Sequence, residues 1–128
     1  MSVEESKSFK TKYTLEKRKT ESKRIRIKNP DRVALILERA VGSTLVDLDK
    51  KKYLVPNKIT VGQFLFSLRK KIHLNAATAL FVFVNRALLP PAYLMSQAYH
   101  EYKDEDGFLY VQYTAESTFG ALSPSSSS

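Results

Sequence analysis

Two apolar runs dominate the pattern, Val33-Ala34-Leu35-Ile36-Leu37 and Leu80-Phe81-Val82-Phe83-Val84. Neither alternates with polar residues, so each predicts a strand covered on both faces. Lys50-Lys51-Lys52-Tyr53-Leu54-Val55-Pro56 reads differently: its lysines and closing proline are what an exposed edge strand uses against unwanted pairing. Phe108 to Tyr113 predicts a last strand, entered through the acidic turn Asp104-Glu105-Asp106-Gly107. The helical signals lie between these runs. Thr60-Val61-Gly62-Gln63 has capping-box form, and Val61, Phe64, Leu65, Leu68 and Ile72 follow at helical spacing through Arg69-Lys70-Lys71. From Thr14 to Lys28 a polar helix with a narrow stripe of Leu15, Ser22 and Ile25 is expected, stopping before Asn29-Pro30. Pro90-Pro91 is expected to open a short helix using Leu94, Met95, Ala98 and Tyr99.

The order is helical N-terminus, strand, strand, helix, strand, short helix, strand. A hairpin followed by a helical crossover would lay Phe64, Leu65 and Leu68 on one face of a four-stranded mixed sheet. That is an α+β chain of the ubiquitin-like β-grasp type. At 128 residues one core is expected, and no internal repeat is present. The boundaries read as a flexible N-terminus at 1–8, a basic helical subdomain at 9–31, the β-grasp core at 32–115, a C-terminal arm at 116–120 and a tail at 121–128. Ala121 to Ser128 is a Ser/Pro tail that can form no core, so disorder is expected there. Its removal would leave Gly120 as a free glycine carboxylate, the least hindered acyl group a chain can offer to activation and transfer.

Charge narrows the choice of partners. Of the net +8, residues 1–32 supply +6, from eleven Lys/Arg against five Asp/Glu, while Glu101, Asp104, Glu105 and Asp106 surround only Lys103. A polarised surface follows, suited to acidic polymers, anionic membranes or acidic protein segments. Nucleic acid fits poorly, because the basic segment has no aromatic interleaving beyond Phe9 and Tyr13 and no recognition-helix pattern. The absence of cysteine removes disulfides and thiol chemistry. His73 and His100 have no nucleophile or carboxylate arranged around them, Asp47 and Asp49 are isolated, and each glycine stands alone. No catalytic residue, metal site or cofactor is expected. With no bilayer-spanning apolar run and no signal peptide, a cytoplasmic location is expected.

Several motifs then occur together in order. Tyr13 precedes Glu16-Lys17-Arg18-Lys19; Asp49 to Pro56, Thr60-Val61-Gly62-Gln63-Phe64, Phe81 to Asn85, Leu94-Met95-Ser96 and Asp106 to Val111 follow, ending in Thr118-Phe119-Gly120. From residue 9 to residue 120 the chain resembles the autophagy-related protein 8 family, which includes GABARAP and light chain 3. The resemblance implies two additional N-terminal helices before the β-grasp. It further implies a ubiquitin-like modifier, trimmed by a processing cysteine protease after Gly120, with Phe119 as the handle. Activating and conjugating enzymes would then join Gly120 to phosphatidylethanolamine, placing the protein on the autophagosome membrane.

There it would recruit cargo receptors bearing aromatic-x-x-aliphatic motifs. The resemblance assigns an aromatic pocket to Glu21, Ile25, Ala34, Ile36, Lys52, Leu54 and Phe108, and an aliphatic pocket to Tyr53, Val55, Pro56, Ile59, Phe64 and Ser67. Lys50, Lys51, Arg32 and Arg69 would favour ligands flanked by acidic or phosphorylated residues. The family usually has proline where Ala34 stands, which bears on partner preference, and an aliphatic residue where Ser67 stands, so the second pocket is expected to be more polar or more open. Leu80 to Val84 is a second docking surface by resemblance, although its residues read first as core. The alternative is an adaptor for tubulin or another polyanion, acting through the basic N-terminal helices.

Overall fold

The computed structural model describes residues 8–116, so Gly120, Phe119 and the tail lie outside the described residues. In order, the elements are α1 (Phe9–Lys12), α2 (Leu15–Lys28), β1 (Arg32–Arg39), β2 (Lys52–Pro56), α3 (Val61–Lys71), β3 (Phe81–Val84), β4 (Ala87–Leu88), α4 (Met95–Tyr102) and β5 (Leu109–Thr114). The sheet runs β2-β1-β5-β3-β4. β1 is parallel to β5, and the other neighbours are antiparallel. This is the expected mixed sheet with two helices ahead of it.

Among the described residues the sheet has five strands rather than four. Asn85 and Arg86 adopt positive φ (51° and 69°), which closes a tight hairpin and returns Ala87–Leu88 beside β3. A two-residue strand is too short to carry a period, so no sequence pattern announced it. Pro90-Pro91 also behaves otherwise than expected. The carbonyls of Pro91 and Tyr93 accept the N–H groups of Gly62 and Val61, and α4 begins only at Met95. The segment thus serves the unpaired N-terminal amides of α3 instead of starting a helix of its own.

α3 starts where the capping box requires. Thr60 Oγ1 accepts from the Gln63 amide, and the Gln63 side chain accepts from the Thr60 amide, at 3.1 and 2.9 Å. Thr14 caps α2 in the same way by accepting from the Lys17 amide; removing either cap should cost about 1 kcal/mol.

The unbroken apolar run of β1 is explained by burial on two sides. Val33, Leu35 and Leu37 join Val61, Phe64, Leu68, Met95 and Ala98 beneath α3 and α4. Ala34 and Ile36 face the other way, toward Ile25 of α2 and Phe108. Leu35 and Ile36, neighbours in sequence, are both 0% exposed on opposite faces, and each such side chain contributes about 1.5–3 kcal/mol. At the far end of the fold, the Tyr113 hydroxyl donates to the Val46 carbonyl and its pKa is pushed up to about 12, chiefly by burial.

Candidate functional site

Among the described residues β2 pairs with β1 only, in the register Ala34 opposite Leu54 and Leu35 opposite Tyr53, so its outer edge is left open by them. Such an edge is a template for an added strand. The two faces of β2 lead to different surroundings. Leu54 packs on the cluster of Ile25, Ala34, Ile36 and Phe108, whereas Tyr53 and Val55 pack toward α3.

The structure brings the aromatic-pocket residues together, but in two layers. Ile25, Ala34, Ile36 and Phe108 form a closed floor, none more than 8% exposed. The opening lies outside that floor, a cleft of about 510 Å³ between the N-terminal helices and the start of β2. Of the expected residues only Glu21 and Lys52 line it, joined there by Phe9, Tyr13, Lys17 and Thr20. Lys52 donates to Glu21 across the mouth, and Arg24 donates to the same carboxylate. Hydrogen bonds from Arg24 and Lys52 hold the Glu21 carboxyl below its usual range.

Phe9 connects the layers. Its ring stands edge-on over Phe108 at 5.5 Å and lies 4.9 Å from the Tyr13 ring. Neither aromatic was assigned to the pocket from sequence. Their spacing of four residues, which can put two rings on one side of a helical turn, is the signal that could have found them.

A buried carboxylate holds this arrangement. Asp106, 1% exposed, accepts from Arg18 at 2.6 Å, from the Tyr110 hydroxyl and from the Phe108 amide, while Ser22 donates to the Asp106 carbonyl. Burial and the bond to Asp106 push the Tyr110 phenol far above its ordinary pKa. Lys10 reaches Asp104 at 2.6 Å, so α1 and α2 are both tied to the turn before β5. Gly107 in that turn has φ of 94°, and a β-carbon there would stand 2.8 Å from Arg26 Nη2 and closer still to the Ser22 hydroxyl. Only glycine fits between them.

The aliphatic side is shallower. Tyr53, Val55 and Ile59 are half-buried, Phe64 is 6% exposed, and Pro56 and Ser67 are exposed. Phe64 is therefore mainly core, and the open lining is Tyr53, Val55 and Ile59 beside Ser67. The Lys50 and Lys71 ammonium groups lie 5.0 and 5.3 Å from the Tyr53 ring centroid. Lys51 reaches Glu38 at 3.5 Å. Arg32 is exposed next to the end of β2, and one Arg69 guanidinium nitrogen is buried without a hydrogen-bond partner. Leu80, Val82 and Val84 belong to the main core, as their composition suggested.

His73 and His100 are both exposed, one after α3 and one on α4. Among the described residues no three His, Cys, Asp or Glu side chains gather in a metal-binding group, and no helix is long and apolar enough to cross a membrane.

Comparison with known proteins agrees with this architecture. Residues 17–120 match the family described as autophagy protein Atg8, ubiquitin like. Autophagy-related protein 8a of Arabidopsis thaliana is 56% identical over 115 residues, covering 90% of this chain and 94% of that protein. Autophagy-related protein 8 of Schizosaccharomyces pombe is 52% identical over 116 residues, covering 91% and 96%. The crystal structure of ATG8 from Trypanosoma brucei superposes with a TM-score of 0.83 at 43% identity, covering 91% of this chain and 100% of that one. With a mixed sheet ordered β2-β1-β5-β3-β4, two leading helices and matches of this extent, the chain belongs to the Atg8 family of ubiquitin-like autophagy proteins.

Proposed function

We propose that the protein is a lipid-anchored collector of partners in autophagy, working through the free edge of β2. The observation that carries this reading is the coincidence of an unpaired strand edge with two chemically distinct flanks. One is the cleft beside Phe9, Lys52 and Leu54; the other is the half-buried group Tyr53, Val55 and Ile59. A peptide adding as a strand presents side chains to alternate faces. An aromatic side chain would enter beside Lys52 and Leu54, displacing Phe9 from Phe108. An aliphatic one three residues on would lie against Tyr53 and Val55. Lysines along the edge favour acidic or phosphorylated flanks.

Attachment would use Gly120. A processing cysteine protease cleaves after it, releasing Ala121 to Ser128. An activating enzyme would join the carboxylate to the AMP part of ATP with release of pyrophosphate, a thiol would then displace AMP to give a thioester, and at a conjugating enzyme the amine of phosphatidylethanolamine would displace the thiol to leave an amide. Glycine suits both active sites because no side chain crowds the acyl carbon and the backbone extends freely. The protein is then cytoplasmic before attachment and on the autophagosome membrane after it.

The test compares two chains in a reconstituted conjugation system by membrane flotation and intact mass. A chain ending at Gly120 is expected to be lipidated without the protease. Gly120→Ala in the full chain is expected to stay unprocessed and soluble while binding an aromatic-x-x-aliphatic peptide normally. Normal lipidation of Gly120→Ala would overturn the assignment.

A further inference from the structure

At the other end of α2 from the peptide cleft, where that helix, the start of β1 and α4 meet, lies a second cleft of about 310 Å³. Its walls carry the guanidinium groups of Arg26 and Arg32 and the His100 imidazole, with the Asn57 amide and the Ser96 hydroxyl between them. No aspartate or glutamate lines it. Among the described residues none of these five side chains makes a hydrogen bond or an ion pair, and Arg26 Nε is buried with no partner at all.

Arg26 is nevertheless held in place. Its guanidinium lies against the bare α-carbon side of Gly107, whose carbonyl accepts from the Tyr99 hydroxyl at 2.7 Å. The buried carboxylate nearby, Asp106, is already engaged by Arg18 and Tyr110 and forms no ion pair with Arg26. The cleft gathers donors and cations around a held Arg26, with no acid in its wall.

We infer that this cleft binds a soluble phosphomonoester, such as an inositol or sugar phosphate. Two guanidinium forks with an amide and a hydroxyl supply more donors than the two oxygens of a carboxylate can accept, whereas a phosphate dianion presents three charged or strongly accepting oxygens. The volume is at the small end for ligand sites, enough for a phosphorylated ring and too little for a folded segment. Position selects the soluble source. The cleft is at the Arg32 end of β1, while β5 ends beside Arg39, about 20 Å along the strand. A membrane held at the C-terminal arm, as proposed above, would therefore stand at the opposite end of the sheet; the choice of source rests on that attachment, and the phosphate chemistry does not.

The experiment titrates the full chain, labelled with nitrogen-15, with inositol 1,4,5-trisphosphate and follows amide shifts. Saturable shifts confined to Arg26 to Val33, Asn57 and Ser96 to His100 are expected, in the micromolar range. Arg26→Gln should weaken binding by about tenfold or more, as loss of a charged donor does. His100→Glu, at an exposed position where no core packing is disturbed, should abolish it, and both variants should bind the groove peptide with unchanged affinity. The inference is overturned if sodium sulfate at equal ionic strength gives the same shifts, or if both variants bind the trisphosphate normally. Binding at this cleft only by vesicles carrying a phosphorylated phosphatidylinositol, or only by a phosphoserine peptide, also overturns it.

Discussion

The two ends of α2 contrast in how their charge is balanced. At the N-terminal half, Arg18 is paired with buried Asp106, Lys52 with Glu21 and Lys10 with Asp104, and the cleft there sits over an apolar floor. At the C-terminal end, Arg26 and Arg32 face a cleft with no acid in its wall. Within α2, Arg18 is thus held by a buried carboxylate while Arg26 faces a cleft without one. The lesson is that the net charge of a segment says little until its counter-charges are located in space.

Removing the carboxylate that organises the first end should have the largest effect. Asp106→Ala leaves Arg18 without its partner and frees the Phe108 amide and Tyr110 hydroxyl, so a loss of about 3–5 kcal/mol is expected in urea unfolding. A loss like that of an exposed pair, about 1 kcal/mol or less, would erase the contrast.

Next is the groove. Leu54→Ala should weaken an aromatic-x-x-aliphatic peptide by about 1–3 kcal/mol in calorimetry with little change in folding, because Leu54 is half-buried at the edge. Phe108 is a poorer probe: it is 0% exposed, so its truncation would unfold the protein as much as it emptied a pocket. Phe9→Ala sharpens the point, since removing a side chain that covers Phe108 should leave peptide affinity equal or higher.

A smaller effect is expected from the exposed lysines. Lys19→Gln or Lys23→Gln, both exposed and outside the cleft lining, should each reduce association with anionic vesicles or with tubulin by about 1 kcal/mol, steeply dependent on salt, without touching peptide affinity. Arg18 belongs outside this set, because its pairing with Asp106 makes it part of the fold. Equal losses of peptide and vesicle binding would show the two functions to be inseparable.

The smallest is a pH effect. The Glu21 carboxyl is lowered by its bonds from Arg24 and Lys52, so its contribution is complete above the unfolded value of about 4.3 and is lost as pH falls through the folded value. The difference in urea midpoint between the natural chain and Glu21→Gln should therefore be present near neutral pH and shrink below about pH 4. A difference that grew on acidification would reverse the sign of the interaction.

Much of the fold was legible because its signals are local or periodic. The capping box at Thr60, the two apolar runs and the lysine-lined edge each describe backbone requirements that a few adjacent residues state completely. Which of the expected groove residues pack together was legible in part, and their layering was not. Ile25 and Phe108 do pack with Leu54, but whether they line an opening or floor it depends on Phe9, nearly a hundred positions from Phe108 in the chain and 5.5 Å from it in space.

The sequence by itself determined the order of helices and strands, the mixed sheet, an edge strand ending at Pro56 and the concentration of positive charge before residue 33, because periodicity, capping and composition are properties of contiguous residues. Only the tertiary structure decided the short β4, the use of Pro90-Pro91 to serve the amides of α3, and which arginines of α2 are paired. Those depend on which distant groups the folded chain brings within a few ångströms. Hydrogen bonding and charge pairing act over that distance and have no counterpart in sequence spacing.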